Sequence, residues 1–390
     1  MDVPMIKAET IQLKDALSRE SGRRMGEDLI KKLGQPPDAC WLFCSPGKGL
    51  RALVKGVYET VGTRTLIGCT TAGEICSDGF STGSAVLGGI VSDQIGFETV
   101  FVNDISRNNE QAGRDLATAL SDSVHYVQLF SDGITGNGCG ILRGMASVFA
   151  RDVSVSGGTS GDAGEFLKTW QFMGDRVFTD SAVAIGFSGD FKLGTGVQSG
   201  WSPIGLPKKV TRSAGNVLYE LNSESALKVY ERFLGKHAEK LPAVGVEYPL
   251  GLIGQIEDLD GNDHLLLRAT MSVNREEGSI RFAGEIPEGA MVYLTCGDRT
   301  SILDATEKAA RMAIEALGDT LPALVFFYSC MARKTVLGLR TKEEIERVCS
   351  QFEPAVPVMG FYSYGEYCRV RTGGPSLLHN ETATVAVIGG

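Results

Sequence analysis

Short apolar runs alternate with amphipathic runs along most of the chain. Residues 12–34 carry leucine and methionine at a loose spacing of four and end at a glycine, a pattern that predicts a helix. Apolar runs at 40–45, 66–71 and 84–92 predict strands, and residues 50–61 predict a helix between the first two. This order predicts an α/β fold in which mixed sheets are flanked by helices.

Three segments of the chain share one order of elements. Each has an apolar strand, a helix, a second strand, a turn in which a hydroxyl side chain and a glycine precede an acid, and a closing strand. The acids of the three turns are Glu74, Asp162 and Glu366. We interpret the pattern as the duplication of one β-α-β-β unit, and we expect the three acids to occupy equivalent turns.

A different stretch, roughly residues 191–320, separates the second segment from the third. It includes a predicted helix at Ser225–Leu234 and a second helix for which Ser301 and Asp304 match a capping pattern. We therefore divide the chain into an N-terminal helix at 1–34 and two α/β domains at 35–222 and 223–390.

The amino-acid composition makes some classes of function and location improbable. The 390 residues carry a formal net charge of −9, which gives no broad attraction to nucleic acid or to an anionic membrane. No apolar run is long enough to span a bilayer, and the first residues do not resemble a signal peptide. Nine cysteines, several inside apolar runs, fit a reducing compartment, so we expect a cytoplasmic protein.

Few residues suggest catalysis or metal binding. The four histidines and nine cysteines show no zinc-site spacing, and the glycine-rich run 133–140 has no P-loop lysine. Hydroxyls and thiols that end strands are the candidate nucleophiles, but no histidine is placed by sequence to activate them. These residues are Ser131, Ser329, Cys44 and Cys330. We expect no enzyme; catalysis by these residues and the acids stays an alternative.

The three turn acids allow two interpretations. Carboxyl ends of strands are preferred ligand sites in α/β sheets, so the acids could line a ligand pocket. The hydroxyl residues Thr71, Ser160, Tyr362 and Tyr364 lie nearby in sequence. Each acid could instead accept backbone N–H bonds and hold its own turn, which we favour because a structural device is copied with the fold.

Several motifs together resemble the FIST family of sensory proteins. They are Gly68-Cys-Thr-Thr-Ala-Gly-Glu74, Ser131-Asp-Gly133, Gly158-Thr-Ser-Gly-Asp162, Gly200-Trp-Ser-Pro-Ile-Gly205, Gly360-Phe-Tyr-Ser-Tyr-Gly-Glu366 and Leu378-His-Asn-x-Thr382. The resemblance covers about residues 35–390 and includes both the N-terminal and the C-terminal FIST parts. It adds Trp201 to the candidate ligand-binding residues.

The resemblance implies a function in signal transduction. FIST proteins are thought to bind small ligands and to signal to kinases, cyclic-di-nucleotide enzymes or chemotaxis proteins. We therefore expect a stand-alone sensor that acts in trans on such a partner, for example the histidine kinase of a two-component system. One branch of the family resembles haem-bearing nitric-oxide sensors, and it implies His379 as the haem ligand.

Overall fold

The computed structural model describes residues 6–255, 261 and 264–390. Residues 1–5 of the predicted N-terminal helix and residues 256–260, 262 and 263 of the predicted C-terminal domain lie outside this range. The described residues form mixed sheets flanked by helices, which confirms the predicted fold class.

The first repeated unit contains six strands and two helices. In chain order they are β1 (Ile6–Leu13), α1 (Arg19–Leu33), β2 (Ala39–Cys44), α2 (Leu50–Val61), β3 (Leu66–Thr70), β4 (Glu74–Cys76), β5 (Gly79–Ser81) and β6 (Ala85–Ser92). The predicted helix over 12–34 was wrong at its start. A capping box at Ser18 starts the helix, and Ile6–Leu13 pairs with β6 as an edge strand.

The second unit repeats this order. Its elements are β7 (Ile95–Asn103), α3 (Asn109–Ala119), β8 (Tyr126–Ser131), α4 (Gly138–Val148), β9 (Ser154–Thr159), β10 (Gln171–Met173), β11 (Arg176–Phe178) and β12 (Ser181–Gly189). The loop between β9 and β10 is longer than its counterpart in the first unit. This insertion decides the position of Asp162, described below.

The third unit begins with β13 (Lys192–Gln198). It is then interrupted by a segment that has a different fold, here called the inserted domain. This domain contains β14 (Trp201–Ala214), β15 (Val217–Leu221), β16 (Glu224–Ser225), α5 (Ala226–Leu234), β17 (Leu250–Ile253), β18 (Leu266–Arg268), β19 (Thr270–Asn274), β20 (Ser279–Phe282) and β21 (Met291–Gly297). Its eight strands form one sheet with a separate apolar core.

The third unit resumes after the inserted domain. It continues with α6 (Arg299–Leu317), β22 (Pro322–Cys330), α7 (Met331–Leu337), α8 (Thr341–Cys349), β23 (Val358–Ser363), β24 (Glu366–Arg369), β25 (Ser376–His379) and β26 (Ala383–Gly389). The capping prediction for α6 was wrong: the N-cap is Asp298, whose carboxylate accepts N–H bonds from Thr300 and Ser301.

The three units have the same strand pairing, which confirms the predicted duplication. Strands β3, β9 and β23, here called the second strands, run parallel to β2, β8 and β22, here called the opening strands. The closing strands β6, β12 and β26 run antiparallel to the same opening strands. Residues at the end of the opening strand lie opposite equivalent partners. These sets are Cys44 with Thr70 and Ala85, Ser131 with Thr159 and Ala182, and Ser329 with Tyr362 and Ala383.

Each unit gives its hairpin to the sheet of another unit. The hairpin β4–β5 extends the third unit's sheet at β23, β10–β11 extends the first at β3, and β24–β25 extends the second at β9. Three six-stranded sheets with the same strand order result. The exchange is cyclic, so the three units form one body.

Equivalent aromatic side chains pack between the three sheets. Phe43, Phe130 and Tyr328 are fully buried, and their ring centroids lie 5.3, 6.0 and 6.4 Å apart. At this level the interior between the three sheets is therefore filled by side chains.

Candidate ligand-binding site

The first residue of each exchanged hairpin occupies an equivalent position. It lies opposite the second-strand residue that pairs with Phe43, Phe130 or Tyr328. The hairpin residues and their opposite partners are Glu74 with Phe361, Gln171 with Cys69, and Glu366 with Gly158. Gln171, not Asp162, is therefore the counterpart of the two glutamates, and the expected equivalence of the three acids was wrong for Asp162.

The two glutamates share one set of contacts, and Glu74 accepts one further bond from the Ser45 hydroxyl. Glu74 accepts hydrogen bonds from the hydroxyls of Thr71 and Ser84 and from the Ser84 N–H. Glu366 accepts bonds from the hydroxyls of Ser363 and Thr382 and from the Thr382 N–H, the last at 3.3 Å. Each carboxyl thus joins a hairpin to the turn before it and to the start of the closing strand.

Gln171 makes the corresponding contacts with an amide. Its Oε1 accepts a bond of 2.7 Å from the Ser181 hydroxyl, and its Nε2 donates a bond of 2.9 Å to Ser160. The Ser160 hydroxyl in turn donates to the carbonyl of Ser131. Because an uncharged amide makes the corresponding bonds here, we interpret this position in all three units as a structural clamp.

Burial changes the pKa of both glutamates. It raises the pKa of Glu366 to about 7, although the bonds from Ser363 and Thr382 oppose this shift. Burial raises the pKa of Glu74 in the same way, against the bonds from Ser84, Thr71 and Ser45. Both side chains are fully buried.

Asp162 organises the inserted loop between β9 and β10. Its carboxylate accepts the backbone N–H groups of Phe166, Leu167 and Lys168 at 2.6–2.8 Å, and the Tyr364 hydroxyl also donates to it. Burial raises its pKa, but these bonds outweigh burial and hold the pKa below its usual value. Asp162 is therefore ionised, and its carboxylate holds the loop together through these bonds.

The loop closes one side of an apolar cavity. The Phe166 ring stacks on Tyr364 with a centroid distance of 4.3 Å. Next to this pair lies a cavity of about 500 Å³, the apolar cavity, between the loop, the start of α7 and the inserted domain. It is lined by Phe166, Pro242, Ala243, Val246, Ala269, Thr270, Met271, Cys330, Met331, Ala332, Thr335, Ser363 and Tyr364.

The structure brings some predicted site residues to this cavity and leaves others elsewhere. Tyr364 lines it, Asp162 holds Tyr364, and Glu366 lies behind Ser363. Tyr362 is buried, with its hydroxyl donating to Glu344. Thr71, Glu74 and Ser160 belong to the clamps of other units.

Trp201 lies at a second, more polar cavity. This cavity of about 430 Å³ is also lined by Asp304 and Lys308. The Trp201 indole N–H donates to the carbonyl of Glu247, which anchors the start of the inserted domain. Trp201 therefore does not join Tyr364 in one site.

Sequence reasoning missed most of the apolar cavity's wall. Met331, Ala332 and Thr335 follow the third opening strand directly, a place where the strand-end rule could have found them. Ala243, Val246 and Met271 come from the inserted domain. No local pattern links them to the third unit.

A buried ion pair supports the α7 side of the cavity. Arg333 Nε donates to Glu344 Oε1 at 2.8 Å, and both side chains are fully buried. Glu344 also accepts bonds from Thr306, Ser329 and Tyr362. The network connects helices α6, α7 and α8 to strands β22 and β23.

The candidate nucleophiles are engaged in the fold. The Ser131 hydroxyl lies 2.7 Å from the Tyr367 hydroxyl, and that of Ser329 donates to Glu344. Burial raises the pKa of Cys44 and of Cys330 well above the usual value for a thiol. These surroundings do not activate a nucleophile.

Family models match most of the chain. The FIST N domain model matches residues 38–224, and the FIST C domain model matches residues 226–369. The chain belongs to the FIST family. FIST domains belong to sensors of signal transduction.

Individual relatives are distant. An uncharacterized protein of Methanocaldococcus jannaschii is 23% identical in an alignment 381 positions long, which covers 89% of this chain and 69% of the relative. A cyanuric acid hydrolase from A. caulinodans and a second cyanuric acid hydrolase structure are 9% and 10% identical, with TM-scores of 0.40 and 0.36. Each alignment covers 99% of both chains. Likenesses of that degree do not indicate an activity.

Two further observations concern metals and membranes. Among the described residues, no group of three or more histidine, cysteine or acidic side chains is placed to hold a metal ion. None of the helices in the described ranges is long and apolar enough to cross a bilayer.

The surroundings of His379 do not fit an axial haem ligand. The ring is fully buried, and its Nε2 lies 3.0 Å from the carbonyl oxygen of Cys368. Burial, the neighbouring His264 and Arg268 lower its pKa to about 3, so the imidazole stays neutral. His379 lines neither the apolar cavity nor the Trp201 cavity, so neither of these cavities brings a macrocycle to its ring.

We expect haem to bind this FIST protein without a defined site at His379. Titration of the purified protein with haemin, followed by absorption spectroscopy, should give no saturable Soret band. His379→Phe should give the same titration as the unsubstituted protein. A saturable Soret band that is present in the unsubstituted protein and lost in His379→Phe would contradict the geometry.

Proposed function

We propose that this FIST protein is a non-catalytic sensor whose small-molecule ligand binds in the apolar cavity. The main observation in support of this proposal is the position of the cavity. Its wall combines the inserted domain, the start of α7 and the loop held by Asp162, so a ligand there contacts three separate parts of the fold. Its volume of about 500 Å³ lies within the range typical of small-molecule sites.

A ligand at this position would change how these parts pack. Ala269 and Met271 belong to the inserted domain, whereas Met331 and Tyr364 belong to the third unit. A ligand that contacts both sides stabilises the arrangement that it bridges, and the protein's population shifts toward that arrangement. A partner that contacts the inserted domain can then respond to the ligand.

The sensor is proposed to signal in trans, that is, to a separate partner protein. The family supplies the signalling role, and the partner proposed is a histidine kinase, a cyclic-di-nucleotide enzyme or a chemotaxis protein. A cytoplasmic location is part of the proposal. All nine cysteines are free thiols, which fits a reducing compartment.

The proposal predicts that a ligand binds in the cavity and that a substitution at the cavity wall blocks its binding. A thermal-shift screen of uncharged and charged metabolites should find compounds that raise the melting temperature. Ala243→Trp should abolish this rise, because Ala243 is exposed, lines the cavity and can accept a larger side chain without disturbing a core. The bound compound should also change the autophosphorylation of a partner histidine kinase.

A matched control is available on another helix. Ala119 is an exposed alanine at the end of α3 that does not line the apolar cavity. Ala119→Trp should respond to the compounds as the unsubstituted protein does. Compounds that stabilise Ala243→Trp as strongly as the unsubstituted protein would contradict the proposed site.

A further inference from the structure

The wall of the apolar cavity carries no formal charge. Among the described residues that line it, there is no aspartate, glutamate, lysine, arginine or histidine. A charged group that leaves water for such a site loses several kcal/mol of hydration without a counter-ion. The wall therefore disfavours amino acids, carboxylates, phosphates and amines as ligands.

Two hydroxyls on the wall already use their hydrogen atoms. The Ser363 hydroxyl donates to Glu366 Oε1, and the Thr335 hydroxyl donates to the carbonyl of Met331 at 3.1 Å. A hydroxyl has one hydrogen and two lone pairs, so each of these oxygens can still accept a bond. A ligand group that binds to these oxygens must therefore be a hydrogen-bond donor.

The other polar groups of the wall differ in whether they already have hydrogen-bond partners. The Tyr364 hydroxyl donates to Asp162 and accepts the Gly164 N–H at 2.9 Å. Burial raises the pKa of the Cys330 thiol well above its usual value, so the thiol stays neutral. The buried Thr270 hydroxyl has no hydrogen-bond partner among the described residues, so it too can accept a bond from a donor on a ligand.

We propose that the apolar cavity binds an uncharged, mainly apolar small molecule that carries an N–H or O–H donor, as an indole or a phenol does. The apolar body contacts side chains such as Val246, Met271 and Met331, and the donor bonds to Ser363 or Thr335. This proposal rests on the proposed function, because it names the ligand class of the same cavity.

Four related probes separate the features of the ligand. Indole carries an N–H donor, 1-methylindole lacks it, indole-3-acetate is an anion and tryptamine is a cation. Isothermal titration should show saturable binding of indole. We expect 1-methylindole to bind about fivefold more weakly, which corresponds to one hydrogen bond, and each ion to bind at least tenfold more weakly.

Variants at the two acceptors locate the bond. Thr335→Val removes an exposed hydroxyl, and Ser363→Ala removes a buried one. At least one of them should bind indole and 1-methylindole equally, while its affinity for 1-methylindole stays as in the unsubstituted protein. Circular dichroism checks that each variant is folded.

The outcomes distinguish this proposal from the proposed function. If an ion binds as tightly as indole and Ala243→Trp blocks it, the ligand class is wrong and the sensor site stands. If indole shows no saturable binding, or if neither acceptor variant removes the preference for indole over 1-methylindole, the ligand class is also overturned. If Ala243→Trp blocks no compound of the metabolite screen, the proposed function itself fails.

Discussion

Glu344→Gln should lower the free energy of unfolding by about 3–5 kcal/mol. The substitution leaves the fully buried Arg333 guanidinium without its counter-charge, and an uncompensated buried charge is strongly destabilising. Urea denaturation at pH 7 measures the effect. The change is among the largest that one substitution should cause here, because Glu344 also accepts bonds from Thr306, Ser329 and Tyr362.

The neighbouring residue gives a matched control. Glu343 pairs with Arg340 at 2.7 Å, but both side chains are substantially exposed. Glu343→Gln should therefore leave the unfolding midpoint almost unchanged, because solvent screens exposed ion pairs. In addition, Arg333→Met and Glu344→Gln together should cost less than the sum of the two single substitutions. Equal effects of Glu343→Gln and Glu344→Gln would contradict the assigned burial.

Glu366→Gln should flatten the dependence of stability on pH. The folded state raises the pKa of Glu366 to about 7, so folding favours the protonated carboxyl. This contribution is complete below the carboxyl's usual pKa and is lost as the pH rises through about 7. Between pH 5 and pH 8 the unsubstituted protein should lose roughly 3 kcal/mol of stability from this group, and the variant should not.

Gln171 shows why an amide should fit at position 366. It occupies the equivalent position in the second unit, where Ser160 accepts its N–H and donates to Ser131. Ser363 can do the same, because its hydroxyl already lies 3.4 Å from the carbonyl of Ser329.

The reciprocal substitution supplies the second half of this test. Gln171→Glu should introduce a buried carboxyl and make stability fall more steeply between pH 5 and pH 8. Denaturant unfolding at both pH values, compared between each variant and the unsubstituted protein, isolates the exchanged group. If the stability of all three proteins depended on pH in the same way, the assignment of residues 366 and 171 to one buried clamp position would be wrong.

Local pattern was enough to predict the repeated units. Apolar runs such as 40–45 and 84–92 became strands because a strand buried on both faces is apolar throughout. The FIST motifs identified the family because they lie at the turns of those units. The same local pattern failed at residues 12–18, because the first two of them end the edge strand β1 and the rest form the loop before α1.

Local pattern also could not place Asp162. Its motif matches the other two turns, but an inserted loop moves the hairpin eight residues onward to Gln171. Strand register, not motif order, decides which side chain faces the clamp, and register depends on a strand from another unit.

The sequence by itself determined the family, the three β-α-β-β units and the order of their strands. Those features follow from side-chain periodicity and from motifs within each unit. Tertiary structure alone decided the cyclic exchange of hairpins, the burial of His379 and the wall of the apolar cavity. Each of these joins segments far apart in the chain, and periodicity shows that a face is buried without showing which distant segment covers it.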